Sequence, residues 1–268
     1  MRIALISDIH IEFIRDEGKL VHDIYIGEQS IDVLILAGDI DLEGYGAHYA
    51  VRQSELLKVP VIYLAGNHEF YAGKWTETIE TLEKITAGTN VHFLNRDSVE
   101  INGARFIGCT LWSDLRLFGN ERFHEALVTI QDGVNDYHQI KRDDSVSAPG
   151  KLRFISPEHT IAEFDKNLAF ITKELEQDFD GKTFVVTHHA PSLACLPLSG
   201  QNNLISAAYA SNLDELIIKY KPKAWFHGHI HSGKSHRIGE TLVGSWPRGY
   251  PQLQNSPTLG FKPMIFVI

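Results

Sequence analysis

The chain has 268 residues, with 25 Lys plus Arg against 34 Asp plus Glu, so its formal net charge is −9; 43% of residues are hydrophobic and 22% charged. That balance is ordinary for a globular chain and excludes a disordered one. The acidic sign argues against non-specific nucleic-acid binding and against an anionic membrane surface as the main partner, while a nucleotide substrate stays open because bound metal ions invert a local field.

A chain this long buries roughly three-quarters of its unfolded surface and needs no disulfide staples. Cys109 and Cys195 are far apart and lack metal-like spacing, which points to a reducing compartment. The apolar run at the N-terminus is too short for a signal peptide. No segment approaches the roughly 20 apolar residues of a membrane span, so a cytoplasmic protein is expected.

Arg2–Ser7 (RIALIS), Asp32–Ala37 (DVLILA) and Val61–Ala65 (VIYLA) are short apolar runs suited to buried strands. Ala47–Leu57, between the second and third, has apolar residues at helical spacing. Strand, helix, strand predicts a βαβ unit and a parallel sheet. Thr76–Ile85 continues as a helix with Ile79, Leu82 and Ile85 on one face. Val99–Ile101 and Ala104–Leu111 flank Asn102-Gly103, a pair that supplies the positive φ values of a type I′ hairpin turn. Asp114–Gly150 is polar and weakly periodic, with a short helix expected over Glu121–Gln131. A long loop of this kind reads either as a surface excursion or as a lid over a site.

Ser156 as N-cap and Pro157 at the first helical position open a long helix facing Phe164, Leu168, Ile171 and Leu175 inward. Phe184–Thr187 and Ala224–His227 are further strands. Ser211 is expected to cap a helix running to about Tyr220, with Asp214 in its first turn. Short strands with Gly-rich turns follow to Ile268. No linker, internal repeat or low-complexity tract interrupts the chain, so one domain over 1–268 is expected.

Five polar clusters each follow a strand-like run: Asp8-Ile9-His10, Gly38-Asp39, Gly66-Asn67-His68-Glu69, His188-His189, and Gly228-His229-Ile230-His231. Each alone has an ordinary reading. Asp-x-His can be a capping pair, Gly-Asp and Gly-Asn are turns, and His188-His189 can be a satisfied core pair. Together, at the ends of successive strands, they can build one site, because ligands of open α/β sheets bind beyond the carboxyl ends of strands. Carboxylate, amide and imidazole donors without thiolate suit Mn, Fe, Zn, Co or Ni, not a structural Cys-type zinc or an all-oxygen calcium cage. Seven donors exceed one tetrahedral ion and suit two divalent or trivalent ions sharing a carboxylate.

The order Asp-x-His, Gly-Asp, Gly-Asn-His-Glu, His, Gly-His-x-His resembles the calcineurin-like metallophosphoesterase superfamily, from Asp8 to His231. The resemblance implies an α/β fold, a four-layer α/β/β/α sandwich with two mixed sheets. It implies a first metal held by Asp8, His10 and His231, a bridging Asp39, and a second metal held by Asn67, His188 and His229. His188 is preferred over His189 because the family's ligand comes first after the strand, which leaves His189 behind the ligands or facing substrate. His68 matches the family's catalytic histidine, and Glu69 has a structural role. The implied reaction is attack of a metal-bridging hydroxide on phosphorus, with His68 protonating the leaving oxygen.

The family's protein phosphatases extend Gly-Asp into Gly-Asp-x-Val-Asp-Arg-Gly. Here the run is Gly38-Asp39-Ile40-Asp41-Leu42-Glu43-Gly44, without that Asp or the phosphate-binding Arg, which disfavours a phosphoprotein serine/threonine substrate. Asp41 is a candidate to orient His68, at a different spacing. The remaining pattern is similar to the bacterial phosphodiesterase branch, implying a small phosphodiester or phosphomonoester. Gly244–Tyr250 resembles an Asn-Pro-Arg-Gly-Tyr stretch of uncharacterised bacterial relatives. Its Arg248 reads either as a phosphate contact or as a surface arginine. Trp112 reads as core rather than as a wall of the site. Members of the fold that serve as non-catalytic interaction scaffolds lack ligands, whereas this chain keeps every ligand type. A double-strand DNA nuclease fits poorly with net −9 and no basic stripe.

Overall fold

A strand that is apolar at nearly every position must be covered on both faces. Arg2–Ile6 (β1), Val33–Ala37 (β2) and Val61–Leu64 (β3) are strands of this kind. A computed structural model of the chain describes residues 1–144, 153–250 and 260–268. In it these three strands run parallel at the heart of a five-stranded sheet. Val91–Phe93 (β4) extends it in parallel. Met264–Val267 (β11) closes the other edge antiparallel, with Arg2 opposite Val267, so the order is β11-β1-β2-β3-β4. The helices attached to this sheet are Ile11–Asp16 (α1), Tyr45–Leu57 (α2) and Trp75–Thr86 (α3).

The second sheet has six strands. It is built from Asp97–Ile101 (β5), Ala104–Cys109 (β6), Lys182–Thr187 (β7), Ala224–His227 (β8), Lys234–Ile238 (β9) and Thr241–Ser245 (β10), in the order β5-β6-β7-β8-β10-β9. Its inner strands β6, β7, β8 and β10 are parallel and its two edges antiparallel. The turn between β5 and β6 has Asn102 at φ 51° and Gly103 at φ 73°, the double positive φ of the expected hairpin. Phe123–Gly133 (α4), Asp136–Gln139 (α5), Pro157–Leu175 (α6) and Asp214–Tyr220 (α7) complete the helices among the described residues.

Side-chain alternation along the strands separates two cores. Ile3, Leu5, Val33 and Ile35 of the first sheet face Phe106, Phe184 and Phe226 of the second, with the Phe106 and Phe184 rings stacked at 4.9 Å. The intervening Ala4, Ile6, Leu34 and Leu36, and Ile107, Val185 and Trp225 of the other sheet, pack outward with the helices. The result is four layers, helix, sheet, sheet, helix, as the resemblance implies. No helix among the described residues is long and apolar enough to cross a membrane.

Two local expectations shift. Ser156 does open α6, and its N–H donates to His159 Nδ1 at 3.1 Å, so an imidazole takes the usual Glu position of a capping box. Ser211 does not cap α7. Leu213 stands at that position, and Ser211 Oγ instead accepts from the Asp114 N–H at 3.4 Å. The hydroxyl is spent on pinning the start of the polar segment. That segment folds as α4 and α5, while its residues 145–150 lie outside the described residues.

A candidate metal centre at the strand ends

The chain turns sharply as it leaves β1, β2 and β8. Asp8 (φ 51°), His10 (φ 53°), Asp39 (φ 54°) and His229 (φ 63°) all take left-handed backbone conformations, which non-glycine residues adopt only where the surroundings impose them. The surroundings are mutual hydrogen bonds. The Asp8 N–H donates to Gly38 O at 3.0 Å and the His10 N–H to Asp39 O at 3.1 Å. The His229 N–H donates to both oxygens of Asp8, at 3.0 and 3.1 Å, which ties the second sheet to the first. Gly66 is required by proximity: a Cβ there would sit 2.6 Å from Asp39 N and 2.7 Å from His188 Cε1. Glu69 accepts N–H bonds from Gly66 (2.7 Å), Asp39 (3.0 Å) and Ile40 (2.8 Å), clamping the turn after β2 to the turn after β3.

These turns bring together all seven residues expected as ligands. His10 Nε2 lies 3.1 Å from His231 Nε2, and His231 Nε2 lies 3.4 Å from Asp8 Oδ1. His188 Nε2 lies 3.1 Å from both Asn67 Oδ1 and His229 Nδ1, and 3.4 Å from Asp39 Oδ2. Asp39 Oδ2 is also 3.9 Å from His10 Nε2. Asp8, His10 and His231 form one group able to hold an ion, and Asp39, His188 and His229 another. Asn67 Nδ2 donates to Asp136 Oδ1 at 2.9 Å, which leaves its carbonyl oxygen aimed at His188. Imidazole nitrogens facing each other at 3.1 Å need a proton or a cation between them, and buried lone pairs converging on shared points fit a cation.

The carboxylates and imidazoles of the cluster shift one another's protonation. Burial works against charge on Asp39 and Asp8, but imidazolium neighbours hold both carboxyls below their usual range. Burial would also lower His188, yet Asp39 and Asp8 raise it to about 10. Burial and the cationic His188 push His189 down to about 3. Cations entering such a cluster displace protons.

A family model described as calcineurin-like phosphoesterase matches residues 1–233. The chain belongs to that family. It is 25% identical over 290 residues to an uncharacterised protein of Acanthamoeba polyphaga mimivirus, covering 100% of this chain and 96% of the relative. Its fold is similar to that of phosphopantetheinyl hydrolase from Mycobacterium tuberculosis, with TM-score 0.68 and 16% identity over 98% of this chain and 95% of that one. TT1561 of Thermus thermophilus matches 91% of this chain and 88% of its own at TM-score 0.48 and 12% identity. Membership makes the protein one of a metal-dependent family of phosphate-ester hydrolases, with clustered His and Asp residues able to bind metal.

In this member of the family His68 borders a cavity of about 600 Å³ that opens beside the cluster. Its N–H donates to Asp39 Oδ1 at 2.9 Å, and its Nδ1 lies 2.8 Å from Glu12 Oε1. Burial would depress its pKa, but Asp39 and Glu12 raise it to about 9. Asp41 is not the partner of His68, because its carboxylate takes a two-pronged pair from Arg15 at 2.7 and 3.0 Å. His189 is buried behind the ligands, with Nδ1 3.3 Å from Thr110 O and its ring 4.3 Å from that of His229. Arg248 is not brought to the cluster. Its guanidinium donates to Ile9 O at 2.9 Å and lies over the Phe261 ring, committed to holding the loop after β1. Its neighbour Tyr250 borders the cavity instead, its ring 4.5 Å from those of both His10 and His231. Trp112 is core, packed between Trp75 and His189.

Sequence reasoning missed Glu12, Tyr250 and Asp136. Glu12 had a readable signal, lying two residues beyond His10 in the string Asp-x-His-x-Glu. Asp136 had none: it sits in the weakly periodic segment, and only tertiary structure brings it to Asn67.

Proposed function

We propose that this protein hydrolyses a small phosphate ester, a diester or a monoester, with a pair of divalent cations. Asp8, His10 and His231 would hold the first cation and Asn67, His188 and His229 the second, with Asp39 serving both. The observation that carries this reading is the position of Asp39 Oδ2, 3.9 Å from His10 Nε2 and 3.4 Å from His188 Nε2, between the two groups. Such cations, when bound, acidify water and neutralise charge on the phosphoryl oxygens.

The chain's own groups supply the rest. Asp136 holds the Asn67 amide with its oxygen toward the second group. His68, which lines the cavity with Nδ1 on Glu12, has Nε2 left to give a proton to the leaving oxygen as the bond from phosphorus to that oxygen breaks. The cavity volume and the absence of the Asp-Arg-Gly extension from the sequence both support a small ester over a phosphoprotein.

The test is metal analysis of the purified protein, then turnover of bis-p-nitrophenyl phosphate, cyclic nucleotides and matched monoesters with Mn²⁺, Fe²⁺, Zn²⁺ and Ni²⁺. Asp39→Asn is expected to lose metal and activity together. His68→Ala is expected to retain metal and lose roughly 10²–10⁴-fold in turnover, the usual worth of a positioned acid. No hydrolysis of any ester with any metal refutes the proposal. Loss of metal in His68→Ala would move His68 from acid to ligand, since with His10 and Asp39 it also forms a group able to hold an ion.

A further inference from the structure

One carboxylate oxygen, Glu12 Oε1, lies 3.0 Å from His10 Nδ1 and 2.8 Å from His68 Nδ1, with the two rings edge to face at 4.4 Å. The carboxylate is buried, and its other oxygen has no hydrogen-bond partner among the described residues. An ionised carboxylate only accepts, so each ring must turn an N–H toward Oε1. That fixes which nitrogen of each ring is free. For His10 it is Nε2, bare and aimed at His231 and Asp39. For His68 it is Nε2, on the side of the ring away from Glu12.

From this shared contact we propose that Glu12 is the positioning residue of the site, setting the tautomer of both His10 and His68 and so coupling the first cation site to the leaving-group acid. The idea rests on the phosphoesterase reading above, and it assigns to the first motif a task that the sequence pointed toward Asp41. The neutral His68 left after each proton transfer keeps its Nδ1–H on Glu12, so it is reprotonated at Nε2 and returns in the same orientation. Removing the charge with Glu12→Gln leaves an amide that can present N–H to either ring and permits the wrong tautomer.

Two readouts test this. Calorimetric titration of the metal-free protein with Mn²⁺, which needs no turnover, is expected to show a roughly 10–100-fold weaker first site in Glu12→Gln, the usual cost of losing a carboxylate behind a metal-binding histidine. Hydrolysis of paired esters is expected to show a selective defect. The turnover loss in Glu12→Gln should be at least about tenfold larger for an alkyl leaving group, which needs a proton, than for p-nitrophenolate, which does not. Asp41→Asn serves as the control and should leave that ratio unchanged. Equal losses for the two leaving groups, or Mn²⁺ affinity unchanged in Glu12→Gln, overturns the proposal. If the wild-type protein binds Mn²⁺ but hydrolyses neither ester, the phosphoesterase reading fails, and the titration alone then decides the His10 half of the claim.

Discussion

His68 lies beside two carboxylates, Asp39 and Glu12, that favour its proton when no cation competes for them. Burial opposes its charge, but Asp39 and Glu12 outweigh burial and raise its pKa from 6.5 to about 9. The linkage to stability has a definite sign. A histidine whose folded pKa exceeds its unfolded value binds its proton more tightly in the folded state, so its contribution is complete below pH 6.5 and is lost as pH rises through about 9. Over that window the metal-free protein should lose stability at up to ~1.4 kcal/mol per pH unit for each such group. His188, raised to about 10, adds to the same slope up to higher pH. Urea unfolding of the metal-free protein at about pH 6.5 and about pH 9 checks this, and His68→Gln should flatten the slope. Stability that instead stays nearly flat over this window would mean the imidazoles are neutral in the folded state. The place of His68 beside the cluster was legible because it directly follows Asn67 in a recognisable string. Its partner was less so, because nothing in one dimension says that Glu12 reaches a residue 56 positions away.

Turns and helix ends show where sequence chemistry is local enough to read and where it is not. Asn102-Gly103 and Ser156-Pro157 were legible because the demands they meet, positive φ and an N-terminal cap, involve only their neighbours. Ser211 misled because the same hydroxyl chemistry was taken by a distant N–H, that of Asp114. Two glycines make the contrast measurable. Gly103 has a positive φ of 73° and open space where a Cβ would sit, so Gly103→Ala should cost about 1 kcal/mol of stability and leave metal affinity alone. Gly66 has the opposite character: its backbone tolerates a side chain, but a Cβ would meet Asp39 N at 2.6 Å and His188 Cε1 at 2.7 Å. Gly66→Ala should therefore weaken Mn²⁺ binding by about tenfold or more, the scale seen when groups supporting metal ligands are displaced. Equal effects of the two substitutions on Mn²⁺ titrations would show that the close approach at Gly66 does not position the ligands.

Across the whole molecule, the site is also a seam. Asp8, Asp39 and Asn67 come from the ends of β1, β2 and β3 in one sheet, and His188 and His229 follow β7 and β8 in the other. The apolar interior between the sheets was readable from strand patterns. The pairing of β11 with β1 was not, because its antiparallel register joins Val267 to Arg2 across nearly the whole chain. A cation held by ligands from both sheets binds the folded state and not the separated strands, so mass action makes it a clamp. At about 100 times its dissociation constant, one such ion adds ~2.7 kcal/mol. For a domain of this size that corresponds to a rise in Tm on the order of 5–10 °C. Removing metal with a chelator should lower Tm by that amount, and excess Mn²⁺ should restore it. The effect should depend on ligands from both sides of the seam: Asp39→Asn and His229→Ala should each diminish the Mn²⁺-dependent rise, measured from each variant's own metal-free baseline. An unchanged Tm after metal removal verified by elemental analysis would mean that hydrogen bonds such as His229 N–H to Asp8 hold the sheets in register without help from a cation.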